Sequence, residues 1–365
     1  MKRLSKMIFF CVFIVLLFPQ PGDTCTTFSI ESDGRHVIGK NYDWHLERGL
    51  LIINKRSVSK NAIESLEKDP GPYAKWISRY GSLTFNQYGR EVPMGGINEA
   101  GLVVEIMSLG TTRYPQPDSR SAINPLQWIQ YQLDNFSSVE EVIASDKYLR
   151  VYSSEESGVH YLVADKAGNC ASIEFIDGKF VYHTKETMPV RVLANNTYER
   201  SIKHLKAHKG FGGREQIPNG YSSLDRFTRA AEMLLAYNQK NPKPPVDYAF
   251  DILANVANPS ASWGTKWSIV YEIKNSMVLF RTFSNKKLRY ISLKELDFSC
   301  KKPVRVFDMN LDVSGDITQS LSNYTQQANL DLIKHSFKKT HSLSVIADDE
   351  LLEFSKYPES TNCVK

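Results

Sequence analysis

The residue with the clearest potential for chemistry is Cys25, in the stretch GDTCTTFSI, directly behind an apolar leader. A thiol is only slightly ionised at neutral pH, so a cysteine nucleophile requires a general base. If residues 1–24 are removed, the freed α-amino group of Cys25, whose pKa is about 8, can take the thiol proton itself. Cys25 would then supply both nucleophile and base, without any histidine. The alternative is that Cys25 is half of a disulfide.

The first 18 residues are typical of a signal peptide. The basic stretch MKRLSK precedes the apolar run MIFFCVFIVLLF, which is too short to span a bilayer and is followed by two prolines. We therefore expect residues 1–24 to be a signal peptide or pro-segment and the protein to be exported, to the periplasm or the extracellular space. No stable membrane insertion is expected after processing. An uncleaved membrane anchor is the alternative.

The residues just before Cys25 bear on how a mature chain would arise. Gly22, Asp23 and Thr24 match a signal-peptidase site poorly. Either signal peptidase cuts the bond between Thr24 and Cys25, or the protein removes a short remnant by self-cleavage. Asp23 and Thr24 also argue against lipidation, since a lipoprotein signal places a small residue directly before the cysteine.

Composition and cysteine spacing exclude several classes of function. Of the net charge of +5, the leader holds three basic residues and one acidic one, so residues 25–365 carry about +3. That charge is too small and too dispersed to indicate nucleic-acid binding. The four cysteines after the leader have no zinc spacing, and nothing indicates a metal or organic cofactor. Three disulfide pairings are open, although Cys170, in the alternating pattern NCASIEF, is predicted to be a buried thiol.

The elements that must position Cys25 are predicted to be strands in blocks. TCTTFSIES and RHVIGKNYDW form a hairpin around the turn SDGR. GSLTFNQY and GLVVEIMSL are predicted strands on either side of GREVPMGGINEAG, whose glycines indicate tight turns. Three further strands are predicted within SGVHYLVADKAGNCASIEFIDGKFVYHT.

Helices are predicted in pairs between the blocks of strands. The predicted helices are NPLQWIQYQLDNF, SSVEEVIAS, SSLDRFTRAAEMLLAYNQ, VDYAFDILANVA and part of DITQSLSNYTQQANLDLIKHSFKK. Strands and helices do not alternate, which argues against a doubly wound parallel sheet. We therefore predict an α+β fold with a single domain over residues 25–365. Two antiparallel sheets would pack face to face, with helices on their outer faces.

Five segments bear on function because of their order in the chain. They are CTTFSIESDGRHVIGKNYDW, GGINEAGLVVEIMSL, VRVLANNTY, GYSSLDRFTRAA and WSIVYEIKNSMVLFRTFSNKKLRYISLKELDF. Together they cover about residues 25–300 and resemble the choloylglycine hydrolase family, which contains conjugated bile acid hydrolases and penicillin V acylases. The resemblance implies the four-layer αββα sandwich of N-terminal nucleophile hydrolases, in agreement with the layers predicted above. It also implies hydrolysis of a linear amide C–N bond through a thioester.

The resemblance implies roles for four residues. Cys25 matches the nucleophile, and Asp43 matches the aspartate that holds the α-amine of the cysteine. Asn195 matches the oxyanion-hole asparagine, and Arg226 matches an arginine near the sulfur that favours the thiolate. Plainer alternatives are a turn carboxylate for Asp43, a turn residue or glycan acceptor for Asn195, and a solvated helix charge for Arg226. Arg229, one helical turn further on, is expected to be structural.

Two further positions depart from the family pattern. Lys40 stands where most of the family has arginine, which keeps the charge but loses the planar fork for a bidentate contact to substrate or to Asp43. Ser108 stands where the family has asparagine or tyrosine beside the oxyanion hole. Its backbone N–H can still serve as the second donor, whereas a changed side chain would alter the choice of substrate.

Three readings of the function follow. The first is a secreted amidase for a small-molecule N-acyl amide with an apolar acyl group, of the conjugated bile salt, penicillin V or N-acyl homoserine lactone type. The second is an enzyme like acid ceramidase or isopenicillin N acyltransferase, whose families share the N-terminal cysteine but depend on cleavage within a longer pro-segment. The third is a non-catalytic secreted binding protein with Cys25 in a disulfide. Family members often form tetramers, so a homo-oligomer is expected.

Overall fold

The structure is a computed structural model that describes residues 25–32, 34–64, 71–153, 158–240 and 243–364, without the side chains of 238–240. The predicted signal peptide or pro-segment, residues 1–24, lies outside the described residues. Within the described ranges, every helix is too short or too polar to cross a membrane.

Strands contain more of the described residues than helices do. In chain order they are β1 (Thr26–Ser32), β2 (Arg35–Asp43), β3 (Leu50–Asn54), β4 (Val58–Asn61), β5 (Lys75–Ile77), β6 (Ser82–Asn86), β7 (Gly95–Asn98), β8 (Val103–Ser108), β9 (Ser121–Ile123), β10 (Leu149–Val151), β11 (Val159–Ala164), β12 (Cys170–Ile176), β13 (Lys179–Thr184), β14 (Val192–Leu193), β15 (Thr265–Glu272), β16 (Met277–Thr282), β17 (Arg289–Ser292), β18 (Arg305–Asp308), β19 (Gly315–Asp316), β20 (Ser322–Asn323) and β21 (Asn362–Cys363).

Helices lie between the blocks of strands and after the last large block. They are α1 (Pro125–Asn135), α2 (Val139–Ala144), α3 (Tyr198–Leu205), α4 (Ser223–Lys240), α5 (Pro245–Asn255), α6 (Gln326–Lys339) and α7 (Asp348–Ser355). The predicted helix starts are confirmed at α2, where Ser138 and Glu141 form a capping box, and at α4, where the Ser222 hydroxyl accepts from the Asp225 N–H.

Two large sheets form the middle of the molecule. The first has the order β14-β1-β2-β15-β16-β17-β19, and the second has the order β13-β12-β11-β8-β7-β6-β3-β18-β20. Phe85 on β6 joins them, because its ring packs against Trp267, Tyr271 and Phe280 of the first sheet. Helices α4 and α5 pack on β1 and β2, while α1 packs on β7 and β8. The predicted α+β sandwich with outer helices is confirmed.

The first hairpin brings the start of β1 beside the end of β2. Gly34 occupies the turn with φ of +67°, a conformation that favours glycine. The strands then pair over their whole length, with Thr26 opposite Asn41. This register places Cys25, just before β1, beside Asp43, the last residue of β2.

The prediction of turns throughout GREVPMGGINEAG is wrong for Gly95–Asn98, which form β7. These glycines are needed for space rather than for a turn. A Cβ at Gly95 would lie 2.3 Å from Glu105 Oε2, and one at Gly96 would lie 2.5 Å from the Leu83 carbonyl oxygen. The two small residues therefore let β7 pass between its neighbours while Glu105 points across it.

The C-terminal segment folds back onto the sandwich. Its predicted helix begins only at Gln326, where the Thr325 hydroxyl caps α6, while the preceding part contributes the short strands β19 and β20. A disulfide joins Cys300 to Cys363, and β21 pairs with β4. Cys170 is a buried thiol, as predicted.

The disulfide leads to a prediction about stability. It closes a separation of 63 residues, so removing it with the double substitution Cys300→Ser and Cys363→Ser should lower the free energy of unfolding by about 2–4 kcal/mol. Urea denaturation with and without dithiothreitol measures this. Reductant should destabilise the unsubstituted protein and the control Cys170→Ala, but leave the double variant unchanged. A double variant that stays sensitive to reductant would contradict the assignment.

Candidate active site

Cys25 is buried at the start of the first hairpin, with 5% of its surface exposed. Its thiol donates to the backbone carbonyl of Asp43, with Sγ 3.7 Å from the oxygen. The disulfide of the described chain uses Cys300 and Cys363, and Cys25 keeps its thiol. This arrangement counts against the reading in which Cys25 is a disulfide half.

Arg226 connects Cys25 to the rest of the site. It lies in the first turn of α4, is fully buried, and its Nη1 donates to the Cys25 carbonyl oxygen at 2.7 Å and also to the Thr26 hydroxyl. Its Nη2 donates to Asn195 Oδ1 at 3.0 Å, and its Nε donates to the Tyr221 carbonyl at 3.1 Å. The predicted alternative of a solvated helix charge is wrong, because this guanidinium is enclosed and makes directed bonds.

The charge of Arg226 is retained in spite of its burial. Burial lowers the pKa of its guanidinium to about 10, and the nearby Asp43 carboxylate and Cys25 sulfur oppose this decrease. The side chain is therefore cationic at neutral pH. It brings a fixed positive charge to the place where a thiolate would form.

Asn195 is oriented by three hydrogen bonds. It follows β14, which pairs with β1, and its backbone N–H donates to Ser223 Oγ at 2.8 Å. Because Arg226 can only donate, the Asn195 oxygen must face it, and Nδ2 then donates to the Ser108 carbonyl at 3.0 Å. An amide nitrogen carries two hydrogens, so Nδ2 retains one for a further acceptor. Ser108 thus contacts the site through its backbone.

Two residues that support Asn195 were not identified from the sequence. His160 on β11 and Glu174 on β12 are buried and lie 3.1 Å apart, from Nδ1 to Oε1. Nε2 of His160 bonds the Ala194 carbonyl at 2.6 Å, and Glu174 Oε1 accepts from the Tyr198 N–H at 3.0 Å. The second sheet thereby fixes the loop before and after Asn195. The sequence feature that could have identified His160 and Glu174 is a polar residue at an inward-facing position of each predicted strand.

Arg229 has the structural role expected of it. Its guanidinium bonds the Asn255 side chain at 3.0 Å and the Gly220 carbonyl. These contacts tie α4 to the end of α5 and to the loop that precedes α4. They do not involve the residues around Cys25.

Lys40 is placed in a different cluster, between the two sheets. Its Nζ lies 3.6 Å from Glu105 Oε2 and donates to the Ile106 carbonyl. The Tyr271 hydroxyl donates to the other oxygen of Glu105. Burial raises the pKa of the Glu105 carboxyl to about 7, against the opposing effects of Lys40 and Tyr271.

Of the site residues predicted from the sequence, the structure brings Cys25, Asp43, Asn195, Arg226 and Ser108 together. It pairs Lys40 with Glu105 instead.

An aromatic group follows Asp43 directly. The Trp44 ring contacts His45, with centroids 4.9 Å apart, and Trp263, with centroids 5.6 Å apart. The backbone N–H of Trp44 donates to the Gly264 carbonyl at 3.1 Å. The segment PSASWGTKW, which contains Trp263, thus lies beside Asp43. In the aromatic-rich segment GPYAKWISRYG, the Trp76 indole donates to Asp134.

Metal-ligating side chains do not cluster in the part of the chain that the structure describes. No group of three or more His, Cys, Asp and Glu residues there is arranged to hold a metal ion.

Comparison with known proteins gives consistent results. The model of the linear amide C–N hydrolases, choloylglycine hydrolase family, matches residues 25–306. A penicillin V acylase from Pectobacterium atrosepticum is 24% identical over 273 residues, which are 63% of this chain and 70% of that protein. The solved structure of penicillin V acylase from Agrobacterium tumefaciens has a TM-score of 0.71 at 25% identity and covers 82% of this chain and 98% of its own. A variant of conjugated bile acid hydrolase from Clostridium perfringens shares the fold, with a TM-score of 0.65 at 19% identity and coverage of 80% and 98%.

The buried Glu105 leads to a prediction about pH. Its pKa is raised from 4.5 to about 7 in the folded protein, so the folded state binds this proton more tightly than the unfolded state does. The stabilisation is present below pH 4.5 and is lost as the pH rises through 7. Relative to Glu105→Gln, the unsubstituted protein should lose about 3 kcal/mol of unfolding free energy between pH 4.5 and 8.

Urea denaturation of both proteins at several pH values measures this difference, and other titrating groups cancel in the comparison. Substitution of Glu174 by Gln provides a buried carboxylate control on the neighbouring strand pair. A constant difference between the unsubstituted protein and Glu105→Gln across this pH range would contradict the prediction.

Proposed function

The chain belongs to the linear amide C–N hydrolases of the choloylglycine hydrolase family, and we propose that it cleaves an N-acyl amide with Cys25 as an N-terminal nucleophile. Hydrolysis of a linear amide C–N bond is the activity of the family. The observation that supports the finer proposal is the guanidinium of Arg226, which bonds both the Cys25 carbonyl and the Asn195 side chain. One buried cation thus links the nucleophile to an amide donor.

The proposed chemistry begins when the bond between Thr24 and Cys25 is cut. The freed α-amine takes the thiol proton, and the thiolate attacks the carbonyl carbon of the substrate. Asp43, whose backbone carbonyl lies 3.7 Å from Sγ, would orient the amine through its carboxylate. The family match begins at residue 25, which supports Cys25 as the first residue of the mature enzyme.

Attack on the carbonyl produces a tetrahedral oxyanion that needs a donor. Asn195 Nδ2 has one hydrogen on the Ser108 carbonyl and a second one for this oxygen. The protonated α-amine then gives its proton to the departing nitrogen, and the acyl group remains on Cys25 as a thioester. Water, deprotonated by the same amine, hydrolyses the thioester and releases the carboxylic acid and the thiol.

The proposed substrate carries an apolar acyl group. The half-buried rings of Trp44 and Trp263 lie directly after Asp43 and beside it, where they can cover an aromatic or aliphatic acyl chain. Amides of the penicillin V, conjugated bile salt and N-acyl homoserine lactone types all present such a group. The similarity to two penicillin V acylases favours a phenoxyacetyl amide as the first one to assay.

We also propose that the protein is exported. The leader has the charge and apolar run of a signal peptide, and the disulfide between Cys300 and Cys363 suits an oxidising compartment. A homo-oligomer stays a prediction, which the mass of the mature protein in solution would decide.

A first test addresses the nucleophile. Cys25→Ala should abolish hydrolysis of phenoxyacetyl amides, while Cys170→Ala, the other buried thiol, should retain it. N-terminal sequencing of the active protein should begin at Cys25, because the mechanism requires a free α-amine on that residue. Rapid quenching followed by mass spectrometry should show one acyl group on the peptide that contains Cys25. An active Cys25→Ala variant, or an active chain that still begins before residue 25, would refute the mechanism.

A second test addresses the oxyanion donor. Asn195→Ala should lower kcat by about 10²–10³, with little change in KM, because the lost bond forms only as charge develops on the oxygen. Asn196→Ala, the adjacent residue with the same side chain, is the matched control and should keep kcat within about twofold. Equal effects of the two substitutions would argue for a general disturbance of the loop.

A further inference from the structure

Helix α6, in the C-terminal segment, lies beyond the residues that match the family, which end at 306. It packs on the segment that follows β6. The Ser336 hydroxyl donates to the Gln87 carbonyl at 2.6 Å, and the Asn329 side chain accepts from the Arg90 N–H at 2.8 Å. The Phe337 ring lies edge-on to Tyr88, with centroids 5.8 Å apart. Helix α6 therefore packs against a segment close to the proposed active site.

Thr340, at the end of α6, is the point where this packing reaches the aromatic group. It is 9% exposed, and its hydroxyl donates to the Ser336 carbonyl at 2.9 Å. Its Oγ1 can therefore accept from the Tyr88 hydroxyl at 2.9 Å and from His45 Nε2 at 3.3 Å. The Tyr88 hydroxyl in turn accepts from the Trp44 indole N–H at 2.8 Å. One hydroxyl thus holds two of the side chains that determine where the Trp44 ring lies.

His45 links Thr340 to the second tryptophan of the aromatic group, Trp263. Its ring lies 4.7 Å from that of Trp263, between centroids. Burial lowers the pKa of His45, the backbone of Lys339 opposes this decrease, and the charge of Lys266 adds to it. The ring nitrogen Nε2 lies within hydrogen-bond reach of the Thr340 hydroxyl. A cavity of about 410 Å³ is lined by His45 and by Lys339 of α6.

We propose that α6 determines the acyl-group preference of the enzyme, with Thr340 as a positioning residue for Trp44 and His45. The inference rests on the proposed function, since it takes the aromatic group as the acyl site. Loss of the Thr340 hydroxyl leaves the Tyr88 hydroxyl and the His45 ring each without one partner. The two rings that face a bulky acyl group can then shift, while Cys25, Asn195 and Arg226 keep their own bonds.

The test compares two amides on purified mature enzyme. Thr340→Val has nearly the shape of threonine but no hydroxyl, and should raise KM for a phenoxyacetyl amide about five- to tenfold. KM for the acetyl amide of the same amine, and kcat for both, should change less than twofold. Thr340→Ser keeps the hydroxyl and should restore the original KM. Ser344→Ala removes a hydroxyl that bonds the His341 carbonyl nearby and should have no effect.

A binding measurement separates this inference from the proposed function. Phenoxyacetate is titrated into Cys25→Ala with tryptophan fluorescence as the readout, and adding Thr340→Val should weaken Kd about five- to tenfold. If the unsubstituted enzyme hydrolyses neither amide, the proposed function fails, and the titration still decides the role of Thr340. Equal changes for both amides, an unchanged Kd, or no binding of phenoxyacetate to Cys25→Ala would overturn the inference.

Discussion

The site depends on one buried cation. Arg226 is removed from solvent and satisfied by a backbone carbonyl, a hydroxyl, an amide oxygen and a second carbonyl. Such a group is stable only where several acceptors converge, because an enclosed charge without partners is costly. Arg226 and its acceptors therefore constrain each other's positions. The guanidinium holds Cys25 and Asn195 at a fixed separation, and those residues in turn fix where α4 must begin.

The two sheets contribute different components around this cation. The first sheet supplies the hairpin that sets Cys25 beside Asp43 and, through β14, the approach to Asn195. The second sheet supplies the Ser108 carbonyl and the pair of His160 and Glu174 that holds the Asn195 loop. The site is therefore assembled at the junction of two layers, and neither layer alone would orient the amide.

A feature could be predicted from the sequence when the residues that form it lie close together along the chain. The first hairpin and the starts of α2 and α4 depend on neighbours within a few residues, and the sequence predicted them correctly. The arrangement of sheets and helices in layers was predicted because the strands come in blocks and do not alternate with helices. Asn195 and Arg226, which are 31 residues apart and meet through one bond, were identified only from a family resemblance. Nothing local indicates such a pair.

The parts that could not be predicted are set by distant partners. The strand β7 was taken for turns because the reason for Gly95 is the carboxylate of Glu105 across the sheet. Lys40 was considered against Asp43, whereas its partner is again Glu105. Its position in β2, opposite Thr27, directs it between the sheets. In both cases the register between strands, which no short pattern encodes, decides the contact.

The hydrogen bond from Arg226 to Cys25 also bears on the order of events in maturation. It is made to the carbonyl of Cys25 and leaves the nitrogen side of that residue out of the bond. Cutting the peptide bond on the nitrogen side changes none of the partners of the guanidinium. If the proposed cut before Cys25 occurs, the precursor can fold with Arg226, Asn195 and Cys25 already aligned, and the cut need only release an amine at a site that is already formed. Control over the proposed activity would then lie in the timing of that cut rather than in a conformational rearrangement.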